Sequence, residues 1–215
     1  MPKLIQRQLS EALSQISRSD FPERWPTLID ELVAQLQGAT GRGDITGVCG
    51  VLETATAVFE RFRNAPDTDE TRAPLRLALD AFAEPLTASF RAVSARLAAA
   101  CAQPATALAA VTPELRALAS MCTCFTLLSW VDLPDVFEDA LPEWMGNFHT
   151  YLALAEARLQ SPPEEPEEGP LEALQAAVLE CVALYADKYD EEFEPFFATF
   201  VQDTWSLLST ASVSR

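Results

Sequence analysis

The chain has 215 residues, 49% of them hydrophobic, 22% charged and only 7 Gly, a folding composition that disfavours sandwiches, barrels and glycine-rich nucleotide folds. Its 15 Lys and Arg stand against 32 Asp and Glu, a net charge of −17. Phosphate repels such a polyanion, which argues against nucleic acid and anionic membrane surfaces as partners.

Helical periodicity recurs along the chain. Ile5, Leu9, Ala12 and Ile16 fall at 4-3-4 spacing and predict the first helix. This opening segment, MPKLIQRQLSEALSQIS, is amphipathic and carries Glu11, unlike the apolar centre of a secretory signal. Ser19-Asp20-Phe21-Pro22 stops it, with Asp20 as the expected cap of the next helix and Pro26 in that helix's first turn. Phe21 and Trp25 are expected to wedge between helices rather than to stand out as anchors for a partner. GATGRG, residues 38–43, predicts a flexible turn before a second cap at Asp44. Val48, Leu52, Ala55, Phe59 and Phe62 form the next stripe, followed by the polar connection NAPDTDET, residues 64–71. Leu75, Leu79, Phe82, Leu86, Phe90, Val93 and Leu97 mark a longer helix in which Pro85 predicts a kink.

Gln103-Pro104, Thr112-Pro113, Leu133-Pro134 and Leu141-Pro142 punctuate the middle of the chain. Between them runs ALASMCTCFTLLSWV, residues 117–131, which is short of the roughly 20 residues that span a bilayer and is expected to be a helix buried on most sides. The chain therefore reads as soluble and intracellular, with no membrane insertion. Leu141, Met145, Phe148 and Leu152 form the next stripe, then Leu171, Leu174, Val178, Cys181, Tyr185 and Tyr189. Phe193, Phe197, Phe200, Thr204 and Leu208 form the last. Ser161 to Pro170, SPPEEPEEGP, is an acidic loop expected to be extended or disordered. No window of comparable length alternates with period two, so the chain is all-α.

Between breaks the helices run roughly 12 to 25 residues and pair off every 40 to 50 residues or so, the period of HEAT-type repeats. The expected architecture is a single α-α superhelix of about four hairpins, near residues 1–38, 44–102, 112–158 and 169–210. One amphipathic hairpin cannot bury its stripe alone, so stacked neighbours share a core. A compact bundle of four to eight helices would satisfy the same periodicity.

Little here supports catalysis. The five cysteines, Cys49, Cys101, Cys122, Cys124 and Cys181, lie in mostly apolar stretches, and the only histidine is His149. A zinc site needs about four ligands at closer spacings, so buried free thiols in a reducing compartment are the expectation. Glu138, Asp139, Glu143 and His149 could suggest a carboxylate–histidine site, but they lack the HExxH arrangement and a nucleophile. Ser129, Thr123 and Cys124 have no base nearby in sequence. No catalytic residue, metal or cofactor is expected, and the chain reads as a binding protein rather than an enzyme.

Charge is unevenly placed. Residues 1–102 carry a net −2 and residues 103–215 a net −15. Asp187, Asp190, Glu191, Glu192 and Glu194 crowd the junction of the last two stripes. Asp190 can cap the final helix, and acids in a first turn suit the helix dipole. That role does not use all five carboxylates, which makes the cluster the candidate surface for a basic partner.

A resemblance extends this reading. LSEALSQISRSDFPERWPTLIDELV, residues 9–33, resembles the helix–DFPxxWPxL–helix segment of nuclear transport receptors of the importin-β (karyopherin-β) superfamily. Three further blocks are VCGVLETATAVFERFR (48–63), DLPDVFEDALPEWMGNFHTYL (132–152) and YADKYDEEF (185–193). They are similar to the family of exportins that return importin-α to the cytoplasm, the cellular apoptosis susceptibility protein family. The resemblance implies a HEAT superhelix that shuttles between nucleus and cytoplasm. It implies binding of importin-α together with the small GTPase Ran in its GTP form, and nuclear pore proteins as further contacts. It implies no catalytic residue, because GTP hydrolysis is Ran's chemistry. Exportins of this class are several times longer, and the match begins about two repeats inside them. The rival expectation is a free-standing α-helical scaffold without Ran-linked transport.

Overall fold

The computed structural model describes residues 3–63, 69–103, 106–130, 132–154 and 169–213. All regular structure in these residues is α-helical. The helices are α1 (Lys3–Asp20), α2 (Leu28–Gly41), α3 (Ile45–Arg63), α4 (Asp69–Cys101), α5 (Leu108–Leu128), α6 (Asp135–Asp139), α7 (Leu141–Leu152), α8 (Pro170–Lys188) and α9 (Asp190–Val213). No helix among the described residues is long and apolar enough to cross a membrane.

The helices pack in two rows. One runs α1, α3, α5, α8, each helix against the next, and the other runs α2, α4, α7, α9, with the short α6 tucked between α4 and α7. Cross-contacts join each second-row helix to the following first-row helix: α2 to α3, α4 to α5, α7 to α8. Among the described residues the main contacts therefore pass between neighbouring helices, as in a solenoid and not as in a bundle closed on itself. The chain is a HEAT-type α-α superhelix.

The shared core lies between the rows. Val48, Leu52 and Phe59 of α3, Phe82, Leu86 and Phe90 of α4, Leu115, Leu118 and Phe125 of α5, and Leu174, Val178 and Tyr185 of α8 are all fully buried. Small polar groups stitch neighbouring helices within each row. In the first row Thr56 Oγ1 meets Cys124 Sγ at 3.3 Å, and Thr126 Oγ1 meets Cys181 Sγ at 3.1 Å. In the second row Thr40 Oγ1 lies 2.9 Å from Ser89 Oγ, and Ser94 Oγ lies 2.6 Å from the Tyr151 hydroxyl. Each bond satisfies a polar group that would be costly to bury alone.

α5 is buried on nearly every side, with Ala117, Leu118, Met121, Cys122, Cys124, Phe125, Thr126, Leu127 and Leu128 all in the interior, as its uncharged sequence predicts. Asp44 caps α3 as expected: its carbonyl accepts the Val48 N–H, and its Oδ1 accepts the Gly47 N–H at 2.9 Å. Asp44→Ala should lower stability by about 1 kcal/mol, read from a shift in the urea midpoint at unchanged slope.

Several expectations are corrected. Asp20 does not cap α2. It is the last residue of α1, and its carbonyl accepts the N–H groups of Arg24 and Trp25. Pro22 and Pro26 supply no N–H, so the chain between them turns on the Asp20 carbonyl, and α2 starts only after Thr27. Phe21 is buried in the core as expected, but Trp25 is only half-buried at its edge. Nor does GATGRG form a flexible turn: α2 runs through Gly38 to Gly41, and the reversal is confined to Gly43, whose φ of 66° suits a residue without Cβ. By contrast, α4, 33 residues long, carries the buried Pro85 within a single helix, where the sequence places it. Pro113 lies inside α5 instead of marking a break. The stripe on α9 divides: Phe193 and Phe200 are buried, whereas Phe197 and Leu208 are exposed. Leu9 and Ile16 of α1 also face outward. The Ser161–Pro170 loop up to Glu168, and the side chains of Ile5, Phe62 and Leu75, lie outside the described residues.

Candidate partner-binding surface

The sequence places five carboxylates where α8 gives way to α9, and the structure brings them to one corner. α8 ends at Lys188, Tyr189 breaks the helix with φ −129° and ψ 50°, and α9 begins at Asp190. Asp187, Asp190, Glu191 and Glu194 are exposed and Glu192 is half-buried. The Tyr189 carbonyl, not the Asp190 side chain, opens α9 by accepting the Phe193 N–H at 2.9 Å, so Asp190 stands in the first turn with Glu191 and Glu192. There all three face the positive end of the helix dipole.

The corner is anchored from beneath by aromatic groups. Tyr185 and Tyr189 lie 5.1 Å apart, the Tyr189 hydroxyl donates to the Ser129 carbonyl at 2.6 Å, and the Tyr185 hydroxyl lies 3.3 Å from Ser129 Oγ. Burial, with Asp132 and Glu192 adding negative field, pushes the Tyr189 phenol up to about 12. Lys188, the one base in this stretch, does not neutralise the acids. It donates to the Trp130 carbonyl and sits over the Trp130 ring, 5.8 Å from its centre. Among the described residues none of the five carboxylates forms an ion pair. The corner is thus a patch of exposed negative charge set over a hydrogen-bonded aromatic base.

The other sequence candidates are not assembled into one site. Glu143 is held by Arg91 through a bidentate pair at 2.7 and 2.6 Å, and that hydrogen bonding keeps its carboxyl below the usual range. His149 Nδ1 instead meets Asp203 Oδ2 at 2.7 Å, linking α7 to α9. Glu138 and Asp139 are exposed on the short α6. Ser129 pairs with Tyr185, Thr123 bonds back to Ala119 within its own helix, and Cys124 pairs with Thr56. Among the described residues no three His, Cys, Asp or Glu side chains converge so that they could hold a metal ion. One feature the sequence reading missed is a groove of about 400 Å³ between α4, α6 and α7, lined by Glu84, Thr87, Arg91, Asp139 and Glu143. Its signal was the 3-4 spacing of Glu84, Thr87 and Arg91 on one face of α4.

The family model for Cse1 matches residues 58–215. The chain belongs to the Cse1 family. Exportin-2 of Homo sapiens and Exportin-2 of Bos taurus are each 42% identical to it over 209 residues, covering 97% of this chain and 21% of the relative. Exportin-2 of Danio rerio is 41% identical over the same share of each chain. A solved structure, the exportin Cse1 in its cargo-free, cytoplasmic state, superposes with a TM-score of 0.88 at 31% identity, over 97% of this chain and 22% of that one. The chain thus spans about a fifth of the length of these Cse1-family relatives. The likeness covers both rows of helices, so the fold read from packing and the family read from sequence agree.

Proposed function

We propose that this chain acts as a segment of a nuclear export receptor that binds importin-α together with Ran in its GTP form and shuttles between nucleus and cytoplasm. The observation that carries the reading is the 42% identity to Exportin-2, sustained over 97% of the chain. Its repeats divide near residues 1–38, 44–102, 112–158 and 169–210. The segment contributes binding surface rather than chemistry, in keeping with the exportins it resembles and with a surface of unpaired carboxylates. Ran and cargo must favour the same curvature of the superhelix, and a coupling of about 1–3 kcal/mol makes their binding mutually dependent. Nuclear pore proteins are further contacts on this reading.

The test is a chimera in which this chain replaces the matching segment of human Exportin-2. Importin-α should be retained with Ran-GTP and lost with Ran-GDP; retention indifferent to nucleotide favours a scaffold without Ran-linked transport. In the same chimera Asp190→Lys, Glu191→Lys and Glu192→Lys together should weaken importin-α capture by about tenfold, three exposed or rim charges each contributing a fraction of a kcal/mol. Helicity by circular dichroism should not change. Unaltered affinity across a salt series removes the patch from the interface.

A further inference from the structure

The groove of about 400 Å³ between α4, α6 and α7 lies in the middle of the stack. α4 packs on α2 to one side of it and α7 on α9 to the other, so its walls depend on neither end of the chain. Its volume falls in the range of small-ligand clefts and is ample for one long side chain. The hydrogen-bonding groups that line it are unevenly divided. Arg91 is the only base, and its Nε and Nη2 hold both oxygens of Glu143 at 2.7 and 2.6 Å. That pair is neutral as a unit. Two acids are left over: Glu84 and Asp139 are exposed, and among the described residues neither forms an ion pair. Thr87, only 2% exposed, also lines the groove. Its hydroxyl donates to the Ala83 carbonyl at 2.9 Å, which commits the proton and leaves the oxygen lone pairs as acceptors. Val136, Ala140 and Pro142 add an apolar wall. The surplus is therefore negative charge and acceptors beside a surface that a hydrocarbon stem can cover.

We propose that this groove seats an arginine side chain of a partner protein. The methylene stem lies along Val136, Ala140 and Pro142, and the guanidinium meets Glu84 and Asp139. Arginine suits the groove better than lysine. Its planar fork carries five N–H donors and can serve two carboxylates and the Thr87 oxygen together, and it sheds water more readily than a compact ammonium. Its stem gains from apolar contact while the charged head stays at the rim. The groove is separate from the carboxylate corner where α8 meets α9, and the assignment is independent of any transport role.

Titration of acetyl-Gly-Arg-Gly-amide into the isotope-labelled chain at physiological salt, followed by NMR, tests the assignment. The amide resonances of Thr87, Asp139 and Glu143 should shift saturably at millimolar peptide. The lysine peptide should bind several-fold more weakly, and the citrulline peptide, which keeps the shape of arginine without its charge, about tenfold more weakly or less. Glu84→Gln with Asp139→Asn should weaken the arginine peptide by about tenfold with unchanged circular dichroism, since both side chains are exposed. Glu60→Gln with Glu180→Gln removes the same charge from exposed positions on α3 and α8 and should leave the affinity within about twofold. Equal weakening by the two double variants would mean that the peptide answers to the net charge of −17 and not to the groove, and overturns the proposal. Equal affinity for the arginine and lysine peptides, shifts that map away from α4, α6 and α7, or no saturable shift at all would each overturn it too.

Discussion

Trp144→Ala is expected to destabilise the chain by about 3–5 kcal/mol, the largest loss from any single substitution considered. Trp144 is completely buried where α7 meets both rows. Its ring stacks on Phe90 of α4 at 3.7 Å between centres and on Phe125 of α5 at 4.3 Å, and meets Phe137 and Phe148 edge-on at 6.0 and 5.8 Å. Alanine would leave a cavity whose walls are rings carried on four different helices, and rings so constrained cannot collapse to fill it. Among the described residues the indole Nε1 finds no hydrogen-bond partner despite its burial. Phenylalanine removes that unsatisfied N–H along with part of the ring, so Trp144→Phe should cost well under half as much. Trp205, 72% exposed on α9, provides the control: Trp205→Ala should stay within about 0.5 kcal/mol. Urea unfolding followed by circular dichroism reads all three. A loss below about 1 kcal/mol for Trp144→Ala would mean that the aromatic cluster is not packed as described.

The fold was legible because its signal is local. The 3-4 spacing of Val48, Leu52, Ala55 and Phe59, and of Leu141, Met145, Phe148 and Leu152, needs no tertiary information, and every one of these side chains is buried. Periodicity does not say how many faces of a helix are covered. Phe197 and Leu208 share the spacing of Phe193 and Phe200 yet face outward, because burial on α9 depends on what lies beside it. Proline misled only in part. Pro142 sits at the start of α7 and Pro85 lies inside the long α4, both as expected, but Pro113 lies within α5, where surrounding packing offsets the lost hydrogen bond. Glycine misled in the same way at Gly38 and Gly41, which α2 carries to its end. The carboxylate cluster was visible as composition. That Lys188 turns away from it to the Trp130 carbonyl was not, since the contact joins residues 58 apart in the chain. Family membership was legible for a different reason: short segments such as DFPERWPTL combine residue types that helical periodicity alone would not select.

Alkaline pH should unfold the chain through its buried thiols. In the unfolded chain cysteine ionises near the ordinary value of 9.0; in the folded chain burial pushes Cys124 up to about 12, its bond to Thr56 opposing only in part. Burial, reinforced by the neighbouring Cys181, holds Cys122 well above its ordinary value too. Below pH 9 both states keep these protons and stability does not depend on them. Above it the unfolded chain releases protons that the folded chain retains, so stability falls with rising pH. Each such thiol contributes a slope of about 1.4 kcal/mol per pH unit, and the pair roughly 3. By pH 10.5 the accumulated loss is about 4 kcal/mol, comparable to much of the stability of an ordinary domain. Tyr151 and Tyr185, both raised above 10.0 by burial, add to the fall as pH approaches and passes 10. Urea midpoints in reducing buffer from pH 7 to 10.5 measure the slope. Cys122→Ala with Cys124→Ala should remove most of that slope between pH 9 and 10, even though packing losses lower the whole curve. What remains is the smaller fall due to Cys49, whose thiol burial pushes up to about 11, and to tyrosines that begin to ionise in the unfolded chain. A double variant that keeps the original slope would show that these two thiols already exchange protons with solvent in the folded chain, and the tight α3–α5–α8 seam on which the first row depends would then be open.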